Sequence, residues 1–276
     1  MILRRRQTDQ IGHPREPSLW NRIIPHVITL GSLMLGLSAI RLAIEGNWPT
    51  AVVYIVLAGV LDGFDGVIAR RMGVDGSFGA QLDSLVDFVS FGVAPALVLY
   101  WWSLQALGMI GWVICVSFAM CCGLRLARYH VTSVAADRPA WARGFFIGVP
   151  APVGAGLVMV PMYVSFSSLG FETRPFGGDL LTPPWVAGWA VIVAMLFVSI
   201  IPSFSFRSIP LSKRMQVPAL ALFGGVLFIT FAQPWLTLLG ISALYLLSLP
   251  VSMWRWRSLA AGGHPMFSPT HDRNSR

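Results

Sequence analysis

Again and again this chain of 276 residues runs for close to twenty positions with almost no charge, the length at which an α-helix crosses the hydrocarbon of a bilayer. Charged residues make up only 12% of the sequence, about half of what a soluble domain of this size carries. The pattern predicts an all-α polytopic membrane protein of about eight transmembrane helices, near 22–43, 47–66, 81–101, 104–126, 144–167, 184–202, 216–232 and 234–253. A basic, proline-containing segment, 1–21, precedes them, and a polar tail, 258–276, follows. Arg4, Arg5 and Arg6 lead into polar residues rather than a short apolar run with a cleavage site, so no removable signal peptide is expected.

The net charge of +8 does not point to nucleic acid, because the basic residues are dispersed among apolar stretches. Lys and Arg favour cytoplasmic loops. With the N-terminus inside, eighteen of the twenty fall on that side, leaving only Arg41 and Arg174 outside. The eleven tryptophans cluster near predicted span ends, as an aromatic belt would place them. Cys115, Cys121 and Cys122 lack metal-ligand spacing and read as small buried hydrophobes.

Against this background four aspartates stand out: Asp62, Asp65, Asp83 and Asp87. Ionisable groups at membrane depth are costly and usually line a polar or metal-filled cavity. On helices, Asp62 and Asp65 are three apart and Asp83 and Asp87 four apart, so each pair shares one face. Two neighbouring helices would then offer carboxylates to one point, where they repel unless cations lie between them. Oxygen-only ligation suits Mg2+ or Mn2+ and offers zinc no soft ligand. All four lie toward the cytoplasmic ends of their spans on the predicted topology. A pairing of these carboxylates with Arg70 and Arg71 alone leaves a convergent quartet unbalanced. A calcium loop fails for want of the distal ligands.

The full pattern is D-x-x-D-G-x-x-A-R-x8-G-x3-D-x3-D, unbroken from Asp62 to Asp87. It resembles the signature of the CDP-alcohol phosphatidyltransferases, membrane enzymes of phospholipid synthesis. The resemblance implies that Asp62, Asp65 and Asp83 are direct metal ligands and that Asp87 both serves the second ion and acts as general base. It further implies that Gly66, Arg70 and Ser77 contact the CDP part of CDP-diacylglycerol, and that Pro25 and Thr29 border the same pocket. Two divalent ions, Mg2+ or Mn2+, a homodimer, and a multi-pass location in the bacterial cytoplasmic membrane with the active site facing the cytoplasm complete the expectation.

Leu82–Pro95, Gly123–Val131 and Phe146–Pro152 are similar to the bacterial membrane-type (type II) phosphatidylserine synthases within that family. His26, Val86 and His130 depart from the residues common there. L-serine is accordingly the expected acceptor, with Arg125 and Arg128 candidates to face its carboxylate and the positive-inside bias their plainer explanation. Glycerol phosphate, choline or an inositol compound are the alternatives within the family, and a cation transporter is the rival outside it. The transporter accounts for acidic residues in the membrane but not for the Gly66–Ala69–Arg70 spacing. By this reading 22–215 is the transferase core and 216–257 adds further transmembrane helices.

Overall fold

A computed structural model of the chain describes residues 19–72, 77–134, 145–167, 181–199, 202–204, 229–230 and 232–261. In chain order the elements are α1 (Leu19–Ile44), α2 (Trp48–Met72), α3 (Ser77–Asp87), a π-helical turn (Phe88–Val93) and α4 (Ala94–Trp102). A 3-10 turn (Leu104–Leu107), α5 (Met109–Val134), β1 (Phe145–Ile147), α6 (Ala151–Val158) and α7 (Val160–Phe166) follow. The last are α8 (Pro183–Val198), β2 (Pro202–Phe204) and α9 (Pro234–Ala261). Among the described residues four stretches are long and apolar enough to cross a membrane: His26–Ile44, Phe78–Trp102, Met109–Tyr129 and Pro234–Trp256. Trp48–Phe64 and Pro183–Val198 are shorter apolar helices. The protein is an integral membrane protein, and its described residues are helical apart from turns and one pair of short strands.

That pair departs from the all-α expectation. β1 and β2 run antiparallel, with Phe145 opposite Phe204, Phe146 opposite Ser203 and Ile147 opposite Pro202. Segments expected as the start of one span and the end of another thus satisfy each other's backbone groups instead. Three helices also run well past their expected C-terminal limits: α2 to Met72, α5 to Val134 and α9 to Ala261. The last two enter the stretch expected to link spans 104–126 and 144–167 and the predicted tail. Hydropathy marks where hydrocarbon ends, whereas a helix ends only where its backbone bonding does. The span expected at 216–232 lies outside the described residues except for 229, 230 and 232.

α1 and α2 pair because the turn between them is built into the sequence. Gly46 has φ +80°, the left-handed conformation that ends many helices. Its N–H donates to the Ala43 carbonyl at 3.1 Å, and Asn47 N–H donates to the Leu42 carbonyl at 2.9 Å. Pro49 then sits in the first turn of α2, where no donor is lost. Fully buried alanines, Ala39 and Ala43 on α1 and Ala51 and Ala58 on α2, suit the close backbone approach that binds helices in lipid.

Proline shapes the other two hairpin arms. The segment Phe78–Trp102 is a composite of α3, the π-helical turn and α4 rather than one regular helix. Pro95 has no N–H to close on the Phe91 carbonyl, and the preceding Ala94 N–H reaches back five residues to Val89. In the expected span 144–167, the helix breaks at Met159, two residues before Pro161. The carbonyl that Pro161 cannot serve is that of Leu157, four residues back. The indole Nε1 of Trp189, on α8, donates to it at 2.7 Å. A proline break in α6–α7 is therefore repaired across the helix interface.

Leu157 is buried and its carbonyl also accepts the Met159 N–H, so Trp189→Phe should remove its one donor from across the helix interface. The expected loss is about 0.5–1.5 kcal/mol of stability, read by denaturant unfolding in detergent. Trp185→Phe, at an exposed position one turn earlier on α8, should change stability by far less.

Candidate active site

Asp62 lies in the last apolar turns of α2, and Asp83 and Asp87 lie one turn apart on α3. Each contributes one carboxylate oxygen to a group whose atoms are all within 4.8 Å of one another. The three side chains are half-buried. At an effective dielectric of about 20, two unit charges that close repel by roughly 3–4 kcal/mol. The fold must therefore hold the carboxylates together against their own charge.

The clamp consists of buried hydroxyls and missing side chains. Ser32 Oγ, on α1, donates to the Ala58 carbonyl of α2 at 3.0 Å. Ser90 Oγ, in the π-helical turn, donates to the Ser32 carbonyl at 3.3 Å. Ser32 and Ser90 are 1% and 0% exposed. Ala58 is one helical turn before Asp62, and Ser90 three residues after Asp87. A Cβ on Gly36 would come within 2.9 Å of Ser90 Oγ, and one on Gly92 within 3.1 Å of the Cys122 Cβ. These glycines let the π-helical turn seat against α1 and α5.

Neither serine was a candidate in the sequence. The available signal was the pair Ser32 and Gly36, two small residues four apart and hence on one face of α1. At the other end of α3, Gly79 receives the ring of His26, whose Cε1 would be 3.1 Å from a Cβ there. His26 also meets Phe78 edge-on, with ring centroids 5.8 Å apart. His26 thus packs from α1 against the start of α3.

The other expected site residues divide as follows. Thr29 is buried on α1. The side chains of Pro25, Asp65, Arg70 and Ser77, with position Gly66, fall outside the described residues, although their backbones belong to α1, α2 and α3. Arg125 and Arg128, both on α5, part company. Arg128 Nη1 donates to the Val198 carbonyl at 2.8 Å, at the C-terminal end of α8. Arg125 lies over the Tyr129 ring at 5.7 Å and interacts electrostatically with Asp87. Its Nε is buried without a hydrogen-bond partner in the protein. Cys115 and Cys122 are buried free thiols and Cys121 is half-buried; Cys122 packs against Gly92.

The donor set fits a hard divalent cation. It is made of carboxylate oxygens alone, as Mg2+, Mn2+ and Ca2+ prefer. Asp87 Oδ1 is buried and has no hydrogen-bond partner, so no donor in the protein satisfies that atom. Oxygens ligating Mg2+ at about 2.1 Å lie roughly 3 to 4.2 Å apart, so the three oxygens, now within 4.8 Å of one another, would draw closer around a shared ion. Such a site can bind a cation, and through it a diphosphate.

Comparison with known proteins meets this geometry. Residues 22–200 match the family model for CDP-alcohol phosphatidyltransferase, spanning α1 to the end of α8. A CDP-diacylglycerol–serine O-phosphatidyltransferase of Mycobacterium tuberculosis (strain ATCC 25618 / H37Rv) is 35% identical over 257 residues, covering 92% of this chain and 86% of that protein. One of the same name from Helicobacter pylori (strain J99 / ATCC 700824) is 28% identical over 225 residues, covering 82% and 88%. Another, from Bacillus subtilis (strain 168), is 34% identical over 146 residues, covering 53% and 78%. With the motif, the converging aspartates and the match along most of its length, this chain belongs to the CDP-alcohol phosphatidyltransferase family, a family of membrane enzymes.

Proposed function

We propose that the protein transfers the phosphatidyl group of CDP-diacylglycerol to the hydroxyl of L-serine, forming phosphatidylserine and releasing CMP. The observation that carries this reading is the convergence of Asp62, Asp83 and Asp87 inside a motif shared with that family. Serine as acceptor draws its support from relatives named for that reaction at 28–35% identity. The core would be residues 22–215, within eight spans whose two termini face the cytoplasm, where the site opens. Residues 1–21 and 258–276 would lie on that side, and 216–257 would supply further spans. The working assembly would be a homodimer, as the family resemblance implies.

In this reading Asp62, Asp65, Asp83 and Asp87 hold two Mg2+ or Mn2+ ions. When bound, the ions neutralise the diphosphate and the departing phosphate oxygen. The protein's own residues then orient and move a proton. Asp87 takes the serine hydroxyl proton as that oxygen attacks the lipid-linked phosphorus and the bond to CMP breaks. Arg70, with its fork of donors, holds the CDP phosphates, with Gly66 allowing close backbone approach and Ser77, Pro25 and Thr29 bordering the nucleotide. Arg125 receives the serine carboxylate. It is favoured over Arg128 because its buried Nε has no partner in the protein and it stands beside Asp87, whereas Arg128 binds the α8 terminus.

Purified protein given CDP-diacylglycerol, Mg2+ and a panel of acceptors should release CMP with L-serine and not with glycerol phosphate, choline or inositol compounds. Release with a different acceptor would replace serine in this reading. Proteoliposome ion flux without CMP release would remove the enzyme reading altogether. Asp87→Asn should lower kcat by about 10²–10⁴-fold, the usual contribution of a general base. Arg125→Ala should raise the KM for serine about 10- to 100-fold, as expected for a lost charge-assisted contact, and leave that for CDP-diacylglycerol near its original value. Asp83→Asn should weaken Mn2+ binding, followed by electron paramagnetic resonance, whereas Glu45→Gln at the exposed α1–α2 turn should not.

A further inference from the structure

Beside the acidic cluster the helices enclose a second space. A cavity of about 520 Å³ lies between α2, α6, α7 and α9, within the roughly 300–1,000 Å³ range of small-ligand sites. Its walls are apolar, among them Ile55 and Val60 of α2 and Leu238, Ile241 and Leu244 of α9. Hydroxyls interrupt them at Tyr163, Ser242, Tyr245 and Ser248, and those of Ser242 and Ser248 are already bonded to carbonyls of α9. Tyr163, on α7, is 0% exposed, lines the cavity, and its hydroxyl has no hydrogen-bond partner in the protein. A buried hydroxyl left in that condition costs free energy.

The cavity comes within a helical turn of the acid site along α2. Gly59 and Val60 in its wall precede Asp62 by three and two residues, about 3–4.5 Å along the axis. A Cβ on Gly59 would lie 3.7 Å from Pro152, so these two mark one level across the interface. Gly156 is one turn beyond Pro152 on α6, and a Cβ there would lie 3.9 Å from the Tyr163 hydroxyl. On the expected topology α2 runs toward the aspartates and α6 away from them, which puts the hydroxyl about a further 6 Å from Asp62. Tyr245, also in the wall, interacts with Arg125.

From this placement we propose that the cavity is the binding site for one acyl chain of the CDP-linked lipid donor. The Tyr163 hydroxyl donates to the ester carbonyl of that chain, and α9 forms the outer wall. A diphosphate at the aspartates, an ester about one to two helical turns deeper and a hydrocarbon tail beyond reproduce the order of polarity found in the site. The inference rests on the phosphatidyl-transfer reading and adds a role for α9, which lies beyond the matched residues 22–200. A tail gains no hydrophobic energy by moving from bilayer to protein, so selectivity here comes from shape and from the single hydrogen bond.

The test compares a long-chain donor, CDP-dioleoylglycerol, with a dihexanoyl one, following CMP release with serine. Gly156→Leu projects into the cavity beside Tyr163, where the space is open. It should lower kcat/KM for the long-chain donor about tenfold and leave the short-chain donor within about twofold. Tyr163→Phe should raise the KM for the long-chain donor several-fold without lowering the unfolding temperature, since the hydroxyl bonds nothing in the fold. In the unaltered enzyme, a CDP-lipid with a diazirine on one acyl chain should label the α9 peptide. Excess CDP-dioleoylglycerol should suppress that labelling and excess phosphatidylglycerol should not. Equal competition by both lipids, absence of label on α9, or an equal loss with long and short donors would overturn the proposal. Failure of the broader reading would look different, because neither donor would then release CMP.

Discussion

Three like charges pressed together between apolar helices set the terms for the rest of this fold. Asp62, Asp83 and Asp87 come within 4.8 Å of one another only because two helices are prevented from moving apart. The restraint is short and local. Ser32 joins α1 to α2, Ser90 joins the π-helical turn to α1, and glycines at 36 and 92 remove the bulk that would keep these segments apart. Hydrogen bonds are a suitable fastening in this solvent, because water is not there to compete for the carbonyls. Each bond is modest, yet both fall within a helical turn of a carboxylate, where a small displacement changes the charge geometry most. The π-helical turn matters for the same reason. It lets the chain reach Pro95 without leaving a row of unserved carbonyls beside Asp87.

The aspartates were legible in the sequence because their meaning lies in local spacing: one helical turn between Asp83 and Asp87, and an ionisable group where hydrocarbon belongs. Hydropathy located most helices for an equally local reason. What stayed hidden depends on partners distant in sequence. Pro161 announces a break, but nothing near it tells that Trp189, twenty-eight residues later, serves the carbonyl left behind. The pairing of β1 with β2 joins residues more than fifty positions apart and cannot be read from either apolar stretch. Arg125 and Arg128 look equivalent in sequence, three apart on one helix, and only the packed fold separates them. One reaches the end of α8 and the other lies beside Asp87.

Buried polar atoms without partners are few in folded proteins, and each calls for a physical reason. Here Asp87 Oδ1, Arg125 Nε and the Tyr163 hydroxyl are among them, and they do not scatter. The first two belong to one neighbourhood at the acidic cluster, and the third lies in the apolar cavity that begins next to Asp62. Their chemistry differs in the way the parts of an amphiphile differ: an anion seeking positive charge, a cation seeking an anion, and a neutral donor among hydrocarbon. An enzyme joining a lipid to a small polar alcohol has to satisfy all three demands within a short distance.

That requirement also gives the C-terminal helix a physical reason to be present. The aspartates, Arg125 and Tyr163 all precede residue 200, so reactive groups alone would not call for more chain. Without α9, however, the surface formed by α2, α6 and α7 would open directly to bilayer lipid, and any tail could lie against it. A helix such as Pro234–Ala261, apolar along most of its length, encloses that surface while contributing no charge near the cavity. The division of labour follows from the solvent: polar recognition must be built from specific partners, whereas recognition of a hydrocarbon chain by a protein already in hydrocarbon can come only from the shape of the walls.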